Sequence, residues 1–162
     1  MTGTLGDAAG ALALLERMPV DALRVRLDRP TPRVEAGRAL VGVASACVDV
    51  SDGLLADLGH VAARSGVAAQ VEVDALPASD ALGAAFDATM RMPMQASGGD
   101  DYELCFTAPV DARPAIAALA SRLDLRITRI GRMVAGEGVH PVRTDGEPWT
   151  PLRRGYDHFA AS

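Results

Sequence analysis

The chain has 162 residues, 49% of them hydrophobic, and a formal net charge of −5 from 21 acidic and 16 basic side chains. That length supports one domain with a sizeable core, and the acidic balance excludes a broad nucleic-acid surface, because no region concentrates enough Lys and Arg to overcome phosphate repulsion. A small phosphorylated ligand stays compatible with the charge where Mg²⁺ screens it, since carboxylate oxygens suit that hard cation.

Met1 to Asp7 has the composition of a turn, and Thr2 and Thr4 around Gly3 read as the end of a strand and turn from which preceding sequence has been removed. Ala8 to Met18 is predicted as an Ala/Leu-rich helix. Pro19 to Val34 is predicted to be irregular, because Pro30 and Pro32 disfavour a helix through it. Its basic cluster, Arg24, Arg26, Arg29 and Arg33, suits either a solvated linker or a loop facing phosphate or another domain. A short helix is expected over Arg33 to Val43, with Val34, Ala39, Leu40 and Val43 as its apolar side.

Ala44 to His60 organises the chain. Ala46, Cys47, Val48 and Val50 supply a buried strand, and Leu54, Leu55, Leu58, Val61 and Ala62 recur at the spacing of a one-faced helix that Gly66 can end. Asp49, Ser51, Asp52 and Gly53 fall at the junction, where α/β sheets commonly present ligand-binding groups. Val67 to Val73 alternates as a strand. Asp74 to Asp80 is a turn, Ala81 to Met90 a short helix, and Met90, Met92 and Met94 are packing groups.

Tyr102 to Thr107 is the next predicted strand, Val110 to Leu123 a helix, and Arg126 to Val134 a strand anchored by Ile127 and Ile130. Val139 to Val142 suits an edge strand, where Pro141 is tolerated. The alternation predicts an α+β fold, a mixed β-sheet covered by helices. Cys47 and Cys105, each in an apolar run, read as reduced core thiols in a cytoplasmic protein. No secretory leader or membrane span is expected.

Asp49 and Asp52, three positions apart with Ser51 between, can turn two carboxylates toward one cation, or Ser51 and Asp52 can simply start the helix. Gly98-Gly99-Asp100-Asp101 suits a ligand loop or a solvent turn equally. No P-loop, HExxH or CxxC pattern occurs. His60, His140 and His158 suit structural or surface roles, and Trp149 packing. No general base is assigned. Arg153 to Phe159 suits a docking tail or part of a pocket.

Three stretches, taken together, carry a more specific signal: Asp49-Val50-Ser51-Asp52-Gly53-Leu54 through His60, Ser97-Gly98-Gly99-Asp100-Asp101-Tyr102-Glu103-Leu104-Cys105-Phe106, and Gly155-Tyr156-Asp157-His158-Phe159. In that order the chain resembles the carboxyl-terminal half of the thiamine-monophosphate kinase family, within the superfamily related to aminoimidazole-ribonucleotide synthetase. The resemblance implies the corresponding carboxyl-terminal fold and use of Mg²⁺ and ATP to convert thiamine monophosphate to thiamine diphosphate. It implies Mg²⁺ contacts for Asp49 and Asp52, nucleotide contact for Ser51, and substrate contact for Asp100 and Tyr156. Asp100 stands where the family often has Glu, and Leu5 where a Thr-Gly-x-Pro-Gly element has Pro. The resemblance further implies an amino-terminal ATP-binding domain, absent before Met1, a homodimeric parent, and little activity for residues 1–162 alone. A related ATP-dependent synthetase domain and a noncatalytic ligand-binding module are the alternatives.

Overall fold

The computed structural model describes residues 1–16 and 19–151. In chain order its elements are α1 (Asp7–Leu14), α2 (Asp21–Asp28), α3 (Val34–Leu40), β1 (Ala46–Asp49), α4 (Leu54–Ser65) and β2 (Ala68–Glu72). They are followed by α5 (Asp80–Ala85), α6 (Ala88–Ser97), β3 (Leu104–Thr107), α7 (Arg113–Arg122), β4 (Gly131–Val134) and β5 (Gly138–Val142). Among the described residues this is a mixed α+β fold, as the alternation of patterns predicts.

The strands form two sheets. β1 pairs antiparallel with β3, while β2 lies between antiparallel β4 and parallel β5. Residues 1–3 join them. The Thr2 amide donates to the Leu104 carbonyl at 3.0 Å on one side, and on the other the Gly3 amide donates to Arg126 O and the Thr128 amide to Met1 O, each at 2.8 Å. Every backbone group between the sheets that finds such a partner avoids the penalty of an unpaired buried dipole.

The larger core cluster includes Val50, Leu54, Leu55, Leu58, Val71 and Ile130, with Trp149 packed against it. In α4 the apolar residues Leu54, Leu55, Leu58 and Ala62 are buried and His60 is exposed, the one-sided burial its spacing predicts. Gly66 ends the helix at φ 63°, a left-handed cap that glycine adopts without a Cβ clash. A second cluster, built from Ala11, Leu23, Leu82 and Phe86, holds α1, α2 and α5 together.

Several expectations are corrected. The stretch before Pro30 is not irregular: it contains α2, which buries Leu23. Val34 is 58% exposed, because α3 turns Ala36 and Leu40 inward instead. The predicted helix at 81–90 is two helices. Ser79 caps α5 through the Leu82 amide, and Asp87 caps α6 through the Met90 amide, so a capping side chain starts a new helix where periodicity alone suggests continuation. Met90 is exposed. Both cysteines are free, but only Cys105 is buried; the two-residue period of β1 puts Cys47 on the exposed side.

Candidate functional site

The two acidic bends, 48 residues apart in the chain from Asp52 to Asp100, meet in space. Beyond the β1–β3 ladder, the Val50 amide donates to Glu103 O at 2.8 Å, the Tyr102 amide to Val50 O at 2.9 Å, and the Asp100 amide to Ser51 O at 2.9 Å. Glycine permits this approach. A Cβ at Gly53 would lie 2.8 Å from Ser97 O, and one at Gly99 would lie 2.5 Å from Ser51 O. Gly53 also has φ 122°, which a side chain would strain.

Asp49 ends β1 on its exposed side, and Ser51 and Asp52 are half-buried in the turn that follows. On the facing bend, Asp100 and Tyr102 adopt left-handed backbone angles, φ 64° and 50°. Both are exposed, while Asp101 between them is turned into the protein. Non-glycine residues in that region store about 1–3 kcal/mol each, and such strain persists where surrounding contacts fix it. The amide bonds of Asp100 and Tyr102 to the first bend are such contacts.

The Tyr102 hydroxyl donates to Asp100 Oδ1 at 3.3 Å. The charge of Asp100, then burial, then that hydrogen bond, and lastly the charges of Asp49 and Asp52 raise the phenol's pKa. Four residues from two distant stretches therefore share one acidic field. A cavity of about 420 Å³ opens beside it, lined by Asp49 and Tyr102 and walled by Pro30, Pro32, Arg33 and Leu104. A larger cavity of about 650 Å³, reached by Phe106, Ile116 and Ile127, is lined by none of the acidic-bend residues.

Three buried carboxylates, Asp57, Glu103 and Asp101, lie at these bends. Asp57 is buried, and its Oδ2 accepts the amides of Ser51, Asp52 and Gly53 at 3.0, 3.1 and 3.2 Å. Burial raises its pKa, with those three donors acting in the opposite direction. Glu103 is fully buried and accepts two bonds from Arg33 at 2.7 and 2.6 Å, one from Arg26 at 2.8 Å and one from the Thr2 hydroxyl at 2.7 Å. The bond to Glu103 raises the pKa of Arg33. Thus Arg26 and Arg33, read from sequence as linker or phosphate-facing cations, serve as counter-ions to a buried carboxylate.

Asp101 is also absent from the exposed surface. Its Oδ2 accepts the Gly6 amide at 2.8 Å, at the start of α1, and its Oδ1 is buried without a hydrogen-bond partner. Burial pushes this carboxyl up to about 8. Sequence reasoning grouped it with Asp100; the alternating direction of side chains along the bend separates them. Asp57 was missed, although its place in the first turns of an amphipathic helix, just after a polar junction, is a legible signal for a carboxylate at the helix's amide end.

Asp49, Ser51, Asp52 and Asp100 carry oxygen-bearing side chains on two bends that backbone hydrogen bonds hold together. No group of three or more His, Cys, Asp or Glu able to hold a metal ion occurs among the described residues. Tyr156 and the other motif residues after Pro151 lie outside the described residues. No helix among the described residues is long and apolar enough to cross a membrane.

The chain is similar to known proteins over nearly its whole length. Thiamine-monophosphate kinase of Salmonella typhimurium is 48% identical over 168 residues, covering 99% of this chain and 51% of the relative. The solved thiamine-monophosphate kinase of Stenotrophomonas maltophilia superposes with a TM-score of 0.84 at 53% identity, covering 90% of this chain and 49% of the other. The structure of AaThiL complexed with AMPPCP and TMP superposes with a TM-score of 0.79 at 34% identity, covering 98% of this chain and 50% of that one. The chain spans about half the length of the curated relatives it matches. A family model described as AIR synthase related protein, C-terminal domain, matches residues 2–143. With most of its length inside that match and both acidic bends within it, the chain belongs to the family of AIR synthase related proteins, as their C-terminal domain.

Proposed function

We propose that this chain supplies the carboxyl-terminal half of an ATP-dependent thiamine-monophosphate kinase, the phosphoryl acceptor being thiamine monophosphate and the product thiamine diphosphate. The observation that carries the reading is the joining of the two acidic bends by the Tyr102-to-Val50 and Asp100-to-Ser51 amide bonds. In this reading Asp49 and Asp52 hold Mg²⁺, Ser51 contacts the nucleotide, and Asp100 with Tyr156 contacts the substrate.

The donor set fits Mg²⁺ in kind, since carboxylates and a hydroxyl are hard oxygen ligands, and falls short of its octahedral demand in number. Bound there, Mg²⁺ supplies charge neutralisation for the phosphates being transferred. The chain's own residues supply position: Ser51 offers a hydroxyl to phosphate oxygen, and Asp100, exposed on the facing bend, offers a carboxylate to the acceptor. Being shorter than Glu, Asp100 reaches its partner through a shifted contact or a bridging water. An amino-terminal domain of the same protein provides the remaining acids and nucleotide contacts, and the complete protein is a homodimer. Two free thiols fit a cytoplasmic setting.

The test is a coupled thiamine diphosphate assay with ATP, Mg²⁺ and thiamine monophosphate. Residues 1–162 alone are expected to give negligible turnover. Joined downstream of the amino-terminal half of the Salmonella typhimurium relative, they are expected to give turnover that D49N or D52N removes. Turnover unaffected by either substitution, or a folded fusion that binds neither nucleotide nor thiamine monophosphate, refutes the proposal.

A further inference from the structure

Three consecutive amides, those of Ser51, Asp52 and Gly53, converge on one oxygen of Asp57 at 3.0 to 3.2 Å. Successive amides at the start of a helix are a common binding site for phosphate. Here the anion is intramolecular. Those amides are engaged by a buried carboxylate of α4, so the bend meets a ligand through the side chains of Asp49, Ser51 and Asp52 instead of through its backbone donors.

The backbone around these amides is also fixed from the other side. Ser97 O would be 2.8 Å from any Cβ at Gly53, and the Ser51 carbonyl accepts the Asp100 amide at 2.9 Å. Asp57 thus pulls the bend inward at its amides while the Asp100 bend holds its carbonyls. The result is a turn with its donors directed at the core and its acidic side chains carried on a braced frame.

We infer that Asp57 is a positioning residue that commits the 49–53 bend to cation binding: it occupies the amide nest a phosphate would otherwise take and fixes the separation of the Asp49 and Asp52 backbones. The inference rests on the reading of Asp49 and Asp52 as Mg²⁺ ligands. Asp57 itself touches neither metal nor substrate in this scheme. Its effect passes through the three amides it holds.

The experiment is a titration of the ¹⁵N-labelled chain with MnCl₂, reading paramagnetic broadening of the Val50 to Gly53 amide resonances, with far-UV circular dichroism as the check on folding. D57A is expected to require about tenfold more Mn²⁺ for the same broadening, the usual scale for losing a group that orients metal ligands. D57N retains an oxygen able to accept the three amides, so it is expected to stay within about threefold of the unaltered chain. D57S takes the place of D57A should the latter unfold.

Equal Mn²⁺ response in the unaltered chain and in folded D57A or D57S overturns the inference. So does an equal loss in D57N and D57A, which would reduce Asp57 to a source of negative charge. Absence of broadening in the unaltered chain, or broadening that D49N leaves unchanged, overturns the Mg²⁺ reading and the inference with it. Broadening that D49N weakens and D57A does not overturns the positioning role alone.

Discussion

Asp101 is 3% exposed, with one carboxyl oxygen on the Gly6 amide and the other unpartnered, and burial lifts its pKa from an ordinary 3.8 to about 8. Between those two values the folded chain keeps a proton that the unfolded chain has released. Stability contributed by this group is therefore complete below about pH 4, is lost progressively as pH rises through the window, and is gone above about pH 8. At roughly 1.4 kcal/mol per pH unit, the interval corresponds to about 6 kcal/mol, and relaxation around the new charge brings the expected loss to about 2–5 kcal/mol.

D101N isolates that loss, since Asn keeps an oxygen for the Gly6 amide and never ionises. Urea unfolding followed by circular dichroism at pH 5, 7 and 9 is the assay. Relative to the unaltered chain, D101N is expected to be about equal or slightly less stable at pH 5, and more stable by about 2 kcal/mol or more at pH 9. Other titrating groups contribute to both proteins and cancel in the difference. A stability difference that stays constant from pH 5 to 9 would show that Asp101 is ionised throughout and would refute the reasoning.

Two other perturbations test the supporting structure. Arg33→Met leaves the fully buried Glu103 with Arg26 and Thr2 as its remaining partners, and is expected to lower stability by about 3 kcal/mol, read as a fall in urea midpoint. An unchanged midpoint would mean that Arg26 alone neutralises the carboxylate. For the thiols, iodoacetamide at pH 8 followed by mass spectrometry is expected to alkylate exposed Cys47 and spare Cys105, whose thiol burial pushes up to about 11. Equal labelling of both in the native chain would contradict the burial of Cys105.

Local chemistry left clear traces in the sequence. The β1-to-α4 junction was legible because period-two and helical spacing change at Asp49 to Gly53, and Gly66 marks the helix end that the fold contains. The second acidic bend was visible from its paired glycines and carboxylates, and the edge position of β5 from Pro141. Less was legible where a side chain answers a partner far along the chain. Arg33 lies 70 residues from Glu103, so its charge alone could not separate a solvated cation from a buried counter-ion.

By itself the sequence determined which segments have strand or helix periodicity and which junctions carry acids, because those properties depend on neighbours within a turn or two. Only the tertiary structure decided that Asp100 stays exposed while adjacent Asp101 enters the core, that Asp57 engages the bend's amides, and that residues 1–3 lie between the two sheets. The physical reason is that a carboxylate's role is set by the donors and the water around it, and packing of distant segments fixes both.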